Sequence, residues 1–99
     1  MDAGTLRASL DANAPPAGLP PLVRALWLEG HGDWDGAHAV CNEVDGPDGA
    51  WVHAYLHRRE GDLSNADYWY RRAGRERPPV DLDAEWEAIA DELLARAQE

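Results

Sequence analysis

ALWLEGHGDW at residues 25–34 and AYLHRREGDL at residues 54–63 lie over one another when the chain is read with an offset of 29. The coincidences are Ala25 with Ala54, Gly32 with Gly61, Asp33 with Asp62 and, just beyond, Ala37 with Ala66. A short period punctuated by Gly-Asp is the mark of stacked helical hairpins, none of which can bury its apolar face alone. Read outward from these two turns, the chain is expected to be all-α: two short helical hairpins between an N-terminal and a C-terminal helix.

Residues 1–20 read as a helix over 5–13, with Leu6 and Leu10 on one face, followed by a linker. The linker is APPAGLPP at 14–21, where proline removes amide donors and biases its predecessor away from helix. The first hairpin spans 21–45. Its first helix runs from Pro21 to about Glu29 with Leu22, Val23, Leu26 and Trp27 inward, and its second from Trp34 to Val44, capped by Asp33, with Trp34, Ala37, Cys41 and Val44 inward. DGPDG at 45–49 is turn chemistry. The second hairpin spans 50–78, with helices over 50–60 and 64–74, the latter capped by Ser64. Pro78 and Pro79 stop it. Asp81 or Asp83 then caps a last helix within 81–98, where Trp86, Ile89, Ala90, Leu93, Leu94 and Ala97 recur every three to four residues.

ADYWYRRAG at 66–74, preceded by GDLSN and followed by Pro78, resembles the second helix of a tetratricopeptide or Sel-like repeat. Ala66, Tyr70, Ala73 and Pro78 stand at the small, aromatic, small and proline positions of that pattern. The resemblance covers the second hairpin best, whose first helix carries His53, Ala54 and His57 where the pattern has Leu, a small residue and Tyr. It implies an α-hairpin scaffold whose terminal helices act as caps, and a protein-binding role.

The 99 residues are read as one domain able to bury about 65% of its unfolded surface. Five Trp and three Tyr supply the large core side chains, for there is no Phe. A net charge of −10 argues against nucleic acid or an anionic membrane as partner. All nine basic residues are Arg, and Arg58, Arg59, Arg71, Arg72, Arg75 and Arg77 gather in one stretch. The single Cys41 excludes an internal disulfide and suits a reducing compartment. With no signal-like N-terminus and no long apolar run, the expected location is cytoplasmic.

Two groups of side chains invite a functional reading. Trp51, Tyr55, Arg58 and Arg59 follow one side of the fourth helix, the side that lines the groove in a hairpin-repeat scaffold, and an aromatic and Arg mix suits an interface. The alternative is a core Trp and a helix-end Arg pair. His53 and His57, one helical turn apart, face the other way with the spacing of two-His metal sites, and His38, His31 and Cys41 on the preceding hairpin are further candidate ligands. There is no HExxH motif. The alternative for these histidines is a structural role, each bonded to a carbonyl, Asp62 or Tyr70. YWYRR at 68–72 reads as packing plus helix-end charge, with a small acidic ligand held by Arg58, Arg71 or Arg72 left open. Cys41 with His38 matches no thiol-enzyme signature.

The favoured expectation is a non-enzymatic module that binds a protein or peptide, acidic or C-terminal, through the Trp51, Tyr55, Arg58 and Arg59 groove, without a cofactor. The alternative is a small-molecule or metal site, with or without catalysis, built from His53, His57, Tyr70 and Arg58. A homo-oligomer formed through the ends of the stack is the third reading.

Overall fold

The two Gly-Asp turns are built alike. Gly32 and Gly61 take φ of +102° and +90°, the left-handed region that glycine enters without a Cβ penalty. Their amides donate to Glu29 O at 2.9 Å and Arg58 O at 3.1 Å, and the next amides, Asp33 and Asp62, donate to Leu28 O at 2.8 Å and His57 O at 2.9 Å. Each aspartate then caps the following helix: Asp33 accepts from Gly36 N at 2.9 Å and Asp62 from Asn65 N at 3.3 Å. The cap of the second hairpin is therefore Asp62 and not Ser64, whose hydroxyl donates to Asp62 instead. A carboxylate at this position satisfies a free amide of the first turn and also favours its dipole.

In the computed structural model, which describes residues 1–98, the fold is all-α, an assembly of helical hairpins with no strand among those residues. The helices are α1 (Ala3–Ala8), α2 (Pro21–Gly30), α3 (Trp34–Asn42), α4 (Pro47–Glu60), α5 (Leu63–Arg72) and α6 (Leu82–Ala97). The first helix is earlier and shorter than the Leu6/Leu10 spacing predicts, because Asp2 caps it through Thr5 N and residues 9–13 turn away. Leu10 still packs, against Gly30, where a Cβ would stand 2.9 Å from its methyl. Proline at the first helical position starts α4 at Pro47, three residues before Ala50. Asp81, not Asp83, caps α6.

α2 packs on α3 and α4 on α5; α3 also lies on α4, α6 crosses both α2 and α4, and α1 closes over α6. Ala25, Ala37, Ala54 and Ala66 are all 0% exposed, so the backbones of the hairpins approach closely where these side chains meet. Trp27, Tyr55 and Tyr70 fill the wider spaces. Burial of one such aromatic removes 150–250 Å² of surface from water, about 4–6 kcal/mol at ~25 cal/mol per Å². Their polar atoms are provided for: Trp86 Nε1 donates to Leu26 O at 2.9 Å and Trp27 Nε1 to Ser9 Oγ at 3.1 Å. No helix among the described residues is long and apolar enough to cross a membrane.

α4 is the centre of this arrangement. It touches α2, α3, α5 and α6, and every residue from Gly49 to His57 is buried. One of its sides faces α6; the other faces the cleft between α3 and α5.

Candidate functional site

Three helices each contribute two side chains, four residues apart, to the cleft between α3 and α5. They are Trp34 and His38 from α3, His53 and His57 from α4, and Asn65 and Trp69 from α5. Residues at that interval project from one face of a helix, so each pair meets its neighbours as a unit. Trp69 stacks flat on His53, ring centroids 3.9 Å apart, and Trp34 stacks on His38 at 4.9 Å while meeting His57 edge-on at 5.7 Å. Trp34 Nε1 donates to Leu56 O at 2.8 Å, which fixes the indole.

Between these walls lie three imidazoles. His38, His53 and His57 can each offer one ring nitrogen such that the three nitrogens are within 4.8 Å of one another, and two of the three residues are buried. Burial, reinforced by the neighbouring His38 and His57, pushes the His53 pKa down to about 4, and burial with His57 lowers that of His38. At neutral pH both rings therefore keep their lone pairs. His57 Nδ1 lies 2.6 Å from Glu60 Oε2, hydrogen-bond distance between the ring and a carboxylate. Asn65 Nδ2 lies 3.4 Å from His57 Nε2 and 3.5 Å from its Nδ1. No side-chain hydrogen bond among the described residues involves His53, yet none of their buried polar side-chain atoms is orphaned, so the His53 ring keeps some contact with solvent. His53 lines a cavity of about 260 Å³ bordered by the α3–α4 loop, the start of α4 and the end of α5.

His57, Glu60 and Asp62 form a second set with metal-ligand spacing. Asp62, however, is occupied in capping α5. His31 is elsewhere: it stacks on Trp27 at 4.5 Å and its Nδ1 is 2.7 Å from Leu10 O. Cys41 lines the cavity as a buried thiol whose pKa burial pushes up to about 12, the reverse of what a nucleophile needs.

The residues expected to line a peptide groove sit against α6 instead. Tyr55 is 1% exposed and its hydroxyl donates to Glu29 at 3.2 Å; Trp51 is 6% exposed and lies under the Arg75 guanidinium, 3.5 Å from the ring centroid. Arg58 Nη1 donates to Glu85 at 2.8 Å and its Nη2 to Val80 O, while Arg59 Nε pairs with Glu29 at 3.1 Å. Helix α6 thus fills the place of a groove, because its buried Glu85 and the buried Glu29 of α2 are the carboxylates that the two arginines need. Tyr70 and Arg58 are likewise separated from the histidines: Tyr70 donates to Glu85 at 2.5 Å, on the other side of α4.

Sequence reasoning did not assign Trp34, Glu60, Asn65 or Trp69 to this site. The signal was present as four-residue spacings in three consecutive helices and, for Glu60, as a carboxylate one turn after His57. Comparison with protein-family models, curated proteins and solved structures finds no match to this chain.

Proposed function

We propose that this chain is a small helical metal-binding protein that holds one divalent transition-metal ion, of the zinc class, between His38, His53 and His57. The observation that carries this reading is the convergence of three imidazole nitrogens within 4.8 Å, at a place where burial keeps two of the rings unprotonated. Tetrahedral Zn–N bonds of about 2.0–2.1 Å set ligand nitrogens roughly 3.3 Å apart, so metal binding would draw the three rings together. Imidazole ligands without thiolate or carboxylate suit Zn²⁺, Co²⁺, Ni²⁺ or Cu²⁺ and not Mg²⁺ or Ca²⁺. The Glu60 contact to His57 supports the same reading, since a carboxylate behind a ligating histidine fixes its tautomer and raises its basicity. The scaffold we read as two tetratricopeptide-like hairpins, supported by the matched Gly-Asp turns and the four buried alanines at equivalent positions. A peptide groove over Trp51, Tyr55, Arg58 and Arg59 would require α6 to leave.

The test is titration of untagged protein with Co²⁺, read by its visible absorption. One equivalent should bind with the strong bands of a low-symmetry four-coordinate ion, His53→Ala and His57→Ala should lose it, and His31→Ala should keep it. Absence of saturable binding, or binding that survives His53→Ala, refutes the proposal.

A further inference from the structure

Three imidazoles would hold a dication in a partly buried site without any protein anion among its ligands. Such a centre lacks a fourth ligand to complete the tetrahedron, and the Glu60 carboxylate reaches it only through His57. Of the three histidines His53 alone lines the neighbouring cavity, and that is the side from which a fourth ligand would enter.

The same cavity has a second positive feature, Arg72. Six of the nine arginines, Arg7, Arg58, Arg59, Arg75, Arg77 and Arg96, pair with carboxylates. Arg72 does not pair with one among the described residues. It is steadied by neutral groups: its Nη1 donates to Tyr68 Oη at 2.9 Å, and the guanidinium lies 5.1 Å from the Trp69 ring centroid and 5.7 Å from that of Tyr68. In a chain of net charge −10, a guanidinium held by a phenol and two aromatic faces keeps its charge for something that arrives from solvent. Trp69 is common to both features, stacked on His53 and in contact with Arg72, so the metal ligand and the guanidinium are positioned by one indole.

We propose, resting on the metal reading above, that the cavity between His53, Trp69 and Arg72 binds a small monocarboxylate. Its carboxylate takes the open coordination position of the metal held by His38, His53 and His57, under the field of the Arg72 guanidinium. A volume of about 260 Å³ lies just below the range of drug-sized sites and accommodates a small carboxylate. Asp45, exposed on the same wall, opposes a second negative group, which selects a monocarboxylate over a dianion.

Acetate is the probe and Co²⁺ the reporter. The Co²⁺-loaded protein is titrated with sodium acetate at constant ionic strength, with acetamide as the uncharged control and inorganic phosphate as the competing oxyanion, and the visible bands are followed. Acetate should shift the bands saturably and acetamide should not. Arg72→Ala should still bind one equivalent of Co²⁺ but need about tenfold or more acetate for the same shift, the loss of one charge-assisted contact. If Co²⁺ binds one to one and acetate leaves the bands unchanged, or Arg72→Ala responds like the parent, the ligand proposal fails while the metal reading stands. If phosphate binds tighter than acetate, the carboxylate assignment fails. If Co²⁺ does not bind at all, both readings fall together.

Discussion

The two sides of α4 are both buried and both polar, yet they are organised on opposite principles. Towards α6, every charge meets its opposite: Glu85 accepts from Tyr70 and Arg58, and Glu29 accepts from Tyr55 and pairs with Arg59. Towards α3 and α5, three bases of one kind are packed together and walled by two indoles, and only His57 has a carboxylate at hydrogen-bond distance. Buried polar groups are ordinarily matched within the protein, because an unmatched one costs about 1–3 kcal/mol. The matched side accounts for itself as architecture, and the histidine side is where the proposed metal ion would sit.

The most damaging way to break the comparison is to remove a carboxylate from the matched side. Glu85→Ala leaves the Arg58 charge, whose side chain is 15% exposed, and the buried Tyr70 hydroxyl without their shared acceptor. A loss of about 3–5 kcal/mol is expected, and thermal unfolding should come roughly 15 °C or more earlier in a chain of this length. A drop under about 1 kcal/mol would show that the two networks are not what fastens α6 to α4.

Much of the fold is legible before any coordinate. The Gly-Asp turns and the Asp33 cap act through local chemistry and are found where the sequence puts them; the DGPDG break is shorter than expected because Pro47 already opens α4, and the apolar stripe of the last helix is buried from Trp86 to Leu94 but not at Ala97. The misses come from pairing between distant residues. Ser64 is a good cap residue in isolation but Asp62 precedes it with a stronger acceptor, and Arg58 and Arg59 look like a free basic edge until Glu29 and Glu85, about 30 residues away in either direction, are seen to claim them. The site was half legible for the same reason. His53 and His57 follow from helical period alone, whereas the approach of His38, and the stacking of Trp34 and Trp69 over the rings, depend on how α3 and α5 lie on α4.

A subtler change sharpens the histidine side. Glu60 is solvent-accessible and touches the site only through His57 Nδ1, so Glu60→Gln should leave thermal stability almost unchanged. Co²⁺ affinity in the same titration should nevertheless fall by about 10- to 100-fold, the usual consequence of removing the carboxylate behind a ligating histidine. Equal affinities in parent and variant would mean that His57 needs no orienting partner, and the parallel with metal centres would lose one of its supports.

The smallest expected effect returns to the matched side, where the two carboxylates are not equivalent. Glu29 is paired with Arg59, whose side chain is 41% exposed and can regain water, whereas Arg58 opposite Glu85 cannot. Burial raises the Glu29 pKa above its ordinary 4.5 even against the opposing pull of Arg59 and the Tyr55 hydrogen bond. The folded state therefore binds this proton more readily than the unfolded chain does. The stabilisation from that group is complete below the unfolded carboxyl pKa and is lost as pH rises through the folded one. At pH 7 the charged Glu29 works against folding, so Glu29→Gln, which keeps an acceptor for Tyr55 and removes the buried charge, should leave stability unchanged or raise it by roughly 0–1 kcal/mol. Near pH 4 that advantage should vanish. Denaturant unfolding at both pH values decides the matter: a loss of several kcal/mol at pH 7 would make Glu29 as tightly bound to its arginine as Glu85 is, and the two networks would be copies of one device.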